Sequence, residues 1–169
     1  MNGGQMMITI GALMLLSVVI LKVNTGNLNT NEILVDNKVE ILATSVANSV
    51  IEEAFTKNFD EYNVKNPAEL LSNLTLVNKL GKDKDEVYPY FDDMDDYNGL
   101  DIIKNIPDAD DYEVKCAVCY INPGNPNIPS HIRTWYKKIT VKVTSEGMKN
   151  RNGIQDTIVM SSIRSYWYF

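Results

Sequence analysis

The stretch MMITIGALMLLSVVILKV, residues 6–23, decides how the rest of the chain is read. No side chain from residue 1 to residue 21 is charged, and Lys22 is the first that is. The run is just long enough for a thin or flexibly anchored bilayer span, for which about 20 residues are usual. Gly11 is tolerated in such a helix and lets a second helix come close. Four readings stand open. A cleaved secretory signal calls for a basic start and a small-residue cleavage site, yet no Lys or Arg precedes Lys22 and no A-x-A pattern follows the run. A core helix that is apolar on every face needs burial all round, more than the polar remainder of the chain supplies. A plain membrane anchor fits. So does a helix that waits in the membrane and then enters the core of a helical polymer, where copies of one apolar surface bury each other. Lys22, at the C-terminal end, weakly favours the wrong side for export.

Outward from this segment the chain turns polar. Residues 24–31, NTGNLNTN, are rich in turn and cap formers. Gly26 reads as a hinge, since a helix through it carries a penalty of about 1 kcal/mol. Asn29, Thr30 or Asn31 then caps a second helix, with Glu32 in its first turn. Over residues 31–59, Val35, Val39, Leu42, Val46, Val50 and Ala54 recur at steps of three and four and give an amphipathic helix. Pro67 opens a short helix and Gly81 ends that region. Residues 83–111 are strongly acidic but carry Tyr88, Tyr90, Phe91 and Tyr97, which predicts a long ordered loop with short strand pieces.

Residues 112–121, 135–145 and 154–169 carry the β signal. Ile139, Val141 and Val143 share one face of a strand, and Lys138, Thr140 and Lys142 the other. Residues 122–129, NPGNPNIP, read as a loop, and residues 147–153 as a turn. The fold class is α+β: a long N-terminal helix, apolar then amphipathic, packed on a C-terminal antiparallel meander of about three long strands. The expected divisions are residues 1–23, 24–62 and 63–169.

Charge and motif content bound the function. A formal net charge of -6 argues against a nucleic-acid surface. The basic cluster of Lys137, Lys138 and Lys142 reads as the solvated face of a strand. Cys116 and Cys119 have CxxC spacing, but residues three apart in a strand point to opposite faces, which predicts two reduced cysteines. His131 is the lone histidine and lies in a Pro/Ser loop. No nucleophile elbow, P-loop, dinucleotide fingerprint or zinc spacing is present, so no catalytic residue and no enzyme activity are expected.

The run Asp92-Asp93-Met94-Asp95-Asp96-Tyr97-Asn98-Gly99-Leu100-Asp101 is the one chemically pointed segment. Crowded carboxylates repel, and Ca²⁺ relieves that. An EF-hand register puts Met94 at the first ligand position and supplies no bidentate Glu, so that match fails. A calcium site of another kind on Asp92, Asp93, Asp95, Asp96 and Asp101 stays open beside a tight Asx-type turn at Asn98-Gly99. No other cofactor is expected.

A short leader ending in glycine (MNGG), an apolar helix, an amphipathic continuation and a C-terminal antiparallel sheet together resemble type IV pilins and pseudopilins. The Asp-Asp-x-Asp-Asp-Tyr-Asn-Gly run resembles a segment of some prepilin-like minor subunits. The resemblance implies insertion in the inner membrane, leader cleavage between Gly4 and Gln5, and extraction into a surface filament with helices inside and sheets outside. If Gln5 is the first mature residue, Thr9 stands where pilins carry a glutamate, and the leader lacks the usual Lys or Arg.

The expected role is therefore a structural subunit of an extracellular, pilus-like homopolymer, held in the membrane before assembly. Its polymerisation surface is Met6, Met7, Ile8, Ile10, Leu13, Met14, Leu15, Leu16, Val18, Val19, Ile20 and Leu21. A monomeric, membrane-anchored surface domain, in a calcium-dependent form or not, is the alternative.

Overall fold

Before Pro67 the chain contains no proline, and only isolated glycines interrupt residues 5–56. Nothing there forces a break, and the computed structural model forms one α-helix, α1 (Gly3–Thr56). The structure describes residues 3–107, 109–149 and 153–167, with the side chains of residues 29, 31 and 32 outside the description. Expectations for the first two residues of the leader, for Asn29, Asn31 and Glu32 as capping or first-turn side chains, for the middle of the turn at 147–153 and for strand beyond residue 167 lie outside the described residues.

The chain divides into two units, Met1–Lys38 and Val39–Phe169. The division falls inside α1. The hinge expected at Gly26 is absent, because α1 runs through it. The Thr25 hydroxyl donates to the Leu21 carbonyl at 2.9 Å and the Thr30 hydroxyl to the Gly26 carbonyl at 3.0 Å. Both polar side chains are thus satisfied within the helix rather than drawn off into a turn.

Within the second unit, Ala43, Val46, Ala47, Val50, Ile51 and Ala54 are buried, at alternating steps of three and one. Three of these six residues are alanines, which keeps this face shallow. Val35 is exposed and takes no part. After α1 come a short helix α2 (Glu61–Lys65), 3-10 turns at Leu71–Asn73, Val77–Lys79 and Asp95–Tyr97, and strands β1 (Asp101–Lys104), β2 (Tyr112–Asn122), β3 (Asn125–Pro129), β4 (Tyr136–Ser145) and β5 (Ile158–Ser165). Pro67 follows a helix instead of opening one: Asp60 accepts from the Tyr62 N–H and caps α2, six residues earlier than the sequence suggested.

The sheet is antiparallel in the order β1-β2-β4-β5, and β3 pairs with β2. Residues 125–129 are therefore a strand, not a loop. Asn122 turns the chain by accepting the Gly124 N–H on its side chain, and Asn125 then pairs back with Asn122. The β2–β4 register sets Val114 opposite Val143, Cys116 opposite Val141, Val118 opposite Ile139 and Tyr120 opposite Lys137. Since alternate residues share a face, this one register builds the inner face of the sheet. It also carries Lys137 inward with Ile139, Val141 and Val143.

The main core joins that face to α1 and to Phe91, Met94 and Tyr97 from the acidic loop. A second, smaller core gathers Phe59, Ala68, Leu74 and Tyr120, with Trp135 stacked on Tyr166 at 5.4 Å. Truncating the centre of the main core tests this arrangement. Ile139→Ala should lower unfolding stability by about 2–5 kcal/mol in a denaturant titration, whereas Val159→Ala, on an exposed position of β5, should change it by about 0.5 kcal/mol or less.

Candidate functional site

Two features of the described residues lie outside ordinary core packing: the apolar surface of the first unit and a buried acid–lysine cluster in the second. In the first unit, all twelve positions expected to drive polymerisation are exposed, from 47% at Ile10 to 79% at Met7. None of the most apolar 18-residue window of the helix is buried, and its mean hydropathy of 2.4 suits a membrane span. The polar residues in it do not spoil that surface. The Thr9 hydroxyl donates to the Met6 carbonyl and the Ser17 hydroxyl to the Leu13 carbonyl, each at 2.9 Å. With those groups satisfied internally, the segment tolerates a medium that offers no hydrogen bonds. Gly4 and Gln5 are exposed helical residues at its start.

The second feature begins where α1 stops. The Arg164 guanidinium, from β5, donates to the Lys57 carbonyl at 2.6 Å and to the Asn58 carbonyl at 3.3 Å. It supplies the cation that the last turn of α1 lacks. Asn58 then bridges to the acidic loop: its N–H donates to the Asp92 carbonyl, and its own carbonyl accepts the Met94 N–H, both at 3.0 Å. Two residues on, Asp60 is fully buried.

Asp60 accepts from the Thr75 N–H and hydroxyl, the Tyr120 hydroxyl and the Tyr62 N–H at 3.0–3.2 Å. Its strongest partner is the Lys137 ammonium at 2.7 Å. Lys137 is itself 0% exposed, so the sequence reading of it as part of a solvated face is corrected. Its alternation parity with Ile139 points it inward, while Lys138 and Lys142 fall on the other face. Three N–H groups find three acceptors: Asp60 Oδ2, the Phe59 carbonyl at 2.8 Å and Asp95 Oδ1 at 2.5 Å. The rings of Phe59 and Tyr120 complete the enclosure, with centroids 4.6 and 5.1 Å from Nζ.

The acidic run thereby acquires a residue-by-residue account. Asp93 Oδ1 accepts the Asp95 N–H at 2.5 Å and the Asp96 N–H at 3.2 Å, and Asp96 Oδ2 accepts the N–H groups of Asp92 and Asp93 at 3.2 and 3.3 Å. Two aspartates thus cap each other's backbone. Met94 and Tyr97 enter the core, and the Tyr97 hydroxyl donates to Glu53 of α1 at 2.9 Å. Asn98 accepts the Val118 N–H of β2, and Gly99, at φ +84°, supplies the left-handed residue of the turn. Asp95 has Lys137 as its counter-cation.

Of the five carboxylates considered for calcium, Asp92, Asp93, Asp95 and Asp96 lie together in one tight segment. Asp101 stands apart on β1, 3.7 Å from Lys115. A three-acid group whose oxygens lie within 4.8 Å of one another consists of Asp92 with Glu61 and Glu86, two residues the sequence reading did not select. Burial, and then the charges of their acidic neighbours, raise the carboxyls of Glu61 and Asp92. Cys116 and Cys119 are free, and burial pushes the Cys116 thiol up to about 12, which leaves it unreactive. His131 is exposed.

The buried carboxyls divide sharply. Burial pushes Asp60 up, but the Lys137 charge and the donors of Thr75 and Tyr120 outweigh it and hold the group below its ordinary value. Burial, then the charges of Asp95 and Asp96, pushes Asp93 up to about 9. Asp95 is raised by burial to about 6 against the opposing pull of Lys137, and Asp96 to about 7 by burial and then by Glu86.

Comparison of the chain with protein family models, curated proteins and solved structures finds no match.

Two measurements check the cluster. Lys137→Met leaves a buried carboxylate without its cation and should cost about 3–5 kcal/mol of stability, while Lys142→Met, on the exposed face, should cost about 0.5 kcal/mol or less. The pH dependence follows from Asp93, Asp95 and Asp96. A carboxyl raised in the folded state binds its proton more tightly folded than unfolded, so its contribution is full below its unfolded value and fades as pH rises through the folded one. Stability should therefore fall from about pH 4 to about pH 9, and Asp93→Asn, which mimics the protonated acid, should flatten the decline in thermal melts across that range.

Proposed function

We propose that this chain is a structural subunit that polymerises through the exposed apolar surface of α1 into a pilus-like filament, after residence in a membrane. The observation that carries the reading is one helix with two characters. Residues 43–54 bury a small-residue face against the sheet of their own chain, while residues 6–21 leave large apolar side chains exposed. A long N-terminal helix followed by an antiparallel sheet is compatible with a pilin-like α+β fold.

The energetics support a polymer as the destination. Each large apolar side chain taken from water is worth roughly 1.5–3 kcal/mol. Twelve such positions in every subunit make exposure to water untenable and mutual burial strongly cohesive. Lipid offers no such drive between helices, so subunits in a bilayer stay separate until they are moved out of it. Gly11, with no heavy atom within 4 Å of the position a Cβ would take, leaves room for a neighbouring helix to approach. Chemistry is no part of this function, and the second unit serves as the displayed domain.

Electron microscopy of sheared surface material, with antibody against residues 39–169, is expected to label filaments. Removing residues 1–23 should give a folded, soluble monomer by light scattering. Long polymers of that truncated chain would overturn the mechanism. Full-length chains found single in the membrane, with no labelled filaments, would favour an anchored monomeric surface domain instead.

A further inference from the structure

We propose that Lys137 and Asp95 react within the folded chain to form an intramolecular isopeptide bond, with Asp60 as the proton-transferring carboxylate. The reacting groups all lie within residues 39–169, and the bond forms whether or not the chain enters filaments.

The geometry brings an amine, a carboxyl to be attacked and a second carboxyl into one closed site. Lys137 Nζ lies 2.5 Å from Asp95 Oδ1 and 2.7 Å from Asp60 Oδ2, and all three side chains are at most 2% exposed. Contact at this range holds the nitrogen next to the Asp95 carboxyl carbon and removes most of the entropic barrier to their joining. The Phe59 and Tyr120 rings keep the surroundings apolar, which disfavours the separated charges of the ion pair relative to a neutral amide. Exclusion of water also protects the amide from hydrolysis.

The two aspartates are not equivalent, and the difference assigns their roles. Both oxygens of Asp60 are occupied by donors from Tyr62, Thr75, Tyr120 and Lys137. That network fixes it as a carboxylate and makes it a poor leaving-group acid. Asp95 Oδ2, by contrast, is buried with no hydrogen-bond partner, the nearby Thr75 hydroxyl being already donated to Asp60. With no donor holding it in place, that oxygen is the one free to depart. Burial raises the Asp95 carboxyl to about 6, which eases transfer of the first proton to it.

The step balances without any co-reactant. Lys137 Nζ passes one proton to Asp60 and adds its freed lone pair to Asp95 Cγ, forming the C–N bond. Asp60 delivers that proton to Asp95 Oδ2, then takes a second from the nitrogen and delivers it to the same oxygen. The C–O bond breaks, and the oxygen leaves as water carrying both protons. Asp60 ends as the carboxylate it began, now facing the amide N–H. Ammonium plus carboxylate becomes amide plus water, and nothing is oxidised or reduced. The product ties the 3-10 turn at Asp95–Tyr97 to the central strand β4, closing a separation of 42 residues.

The test is a peptide map of the purified full-length chain, solubilised in detergent, its fold confirmed by circular dichroism, then denatured and digested with trypsin. The expected product is a branched peptide containing both Asp95 and Lys137, lighter by one water, about 18 Da, than the two linear peptides together. Because the readout is at peptide level, processing at the N-terminus does not disturb it. Lys137→Arg should abolish the branched species, and Asp60→Asn should slow its appearance by about 100-fold or more. Quantitative recovery of linear peptides with unmodified Asp95 and Lys137 from the folded wild-type chain overturns the proposal, whether or not either variant folds. A folded Asp60→Asn chain that cross-links at the wild-type rate overturns the role given to Asp60.

Discussion

An ammonium group held at 0% exposure organises the second unit. Removing a lysine charge from water costs several kcal/mol unless its hydrogens are met by acceptors and its charge by an anion. Lys137 obtains both, from three places that are far apart in sequence: the stretch following α1, through the Phe59 carbonyl and Asp60; the acidic loop, through Asp95; and β4, on which it sits. The site is complete only when helix, loop and sheet are all in place. A misregistered β4, shifted by one residue, would carry Lys137 to the outer face and leave Asp60 and Asp95 buried without a cation. The cluster therefore penalises the wrong register as well as supporting the right one.

The same logic explains an acidic run inside a folded core. Four aspartates in five residues, three of them buried, cannot all stay charged. Asp60 and Lys137 form the charge-compensated pair, and burial lifts the others toward the neutral form. Asp93 and Asp96 act as backbone caps, a task in which the acceptor oxygen matters more than the charge. The cluster is thus stabilised by protonation and by lysine together, and its tolerance falls as pH rises.

The fold class was legible because periodicity reports burial. Ile139, Val141 and Val143 alternate and line the core; Val46, Val50 and Ala54 recur helically and do the same. The run at 6–21 is apolar on every face, more than the polar remainder of the chain can cover, and its side chains stand exposed. What periodicity misjudged was chemistry. Lys137 has the same parity as Ile139, so the alternation itself pointed it inward; reading lysines as solvated overrode that signal. Its partner Asp60 stands 77 residues away, and no local pattern links them. Gly26 misled for the opposite reason: one glycine costs about 1 kcal/mol, which a long helix absorbs. The strand at 125–129 was hidden by its prolines, which suit an edge strand with few ladder donors.

The junction after Thr56 is where the two characters of α1 have a mechanical consequence under the proposed assembly. If residues 6–21 are gripped by neighbouring subunits, load on the displayed domain passes along α1 to its C-terminal end. That end is held by three devices in succession. Arg164 binds the carbonyls of residues 57 and 58, Asn58 pairs with the acidic loop through three hydrogen bonds, and Asp60 meets Lys137. Two of them, Arg164 and Lys137, come from adjacent strands at opposed positions, since Lys137 pairs with Arg164 across β4 and β5. A pull on the helix is thereby opposed by one rung of the sheet. Hydrogen bonds in such a place share the load only while all hold, and a covalent link between Asp95 and β4 would keep the acidic loop, and Asn58 paired to it, fixed to that rung after the first bond gave way.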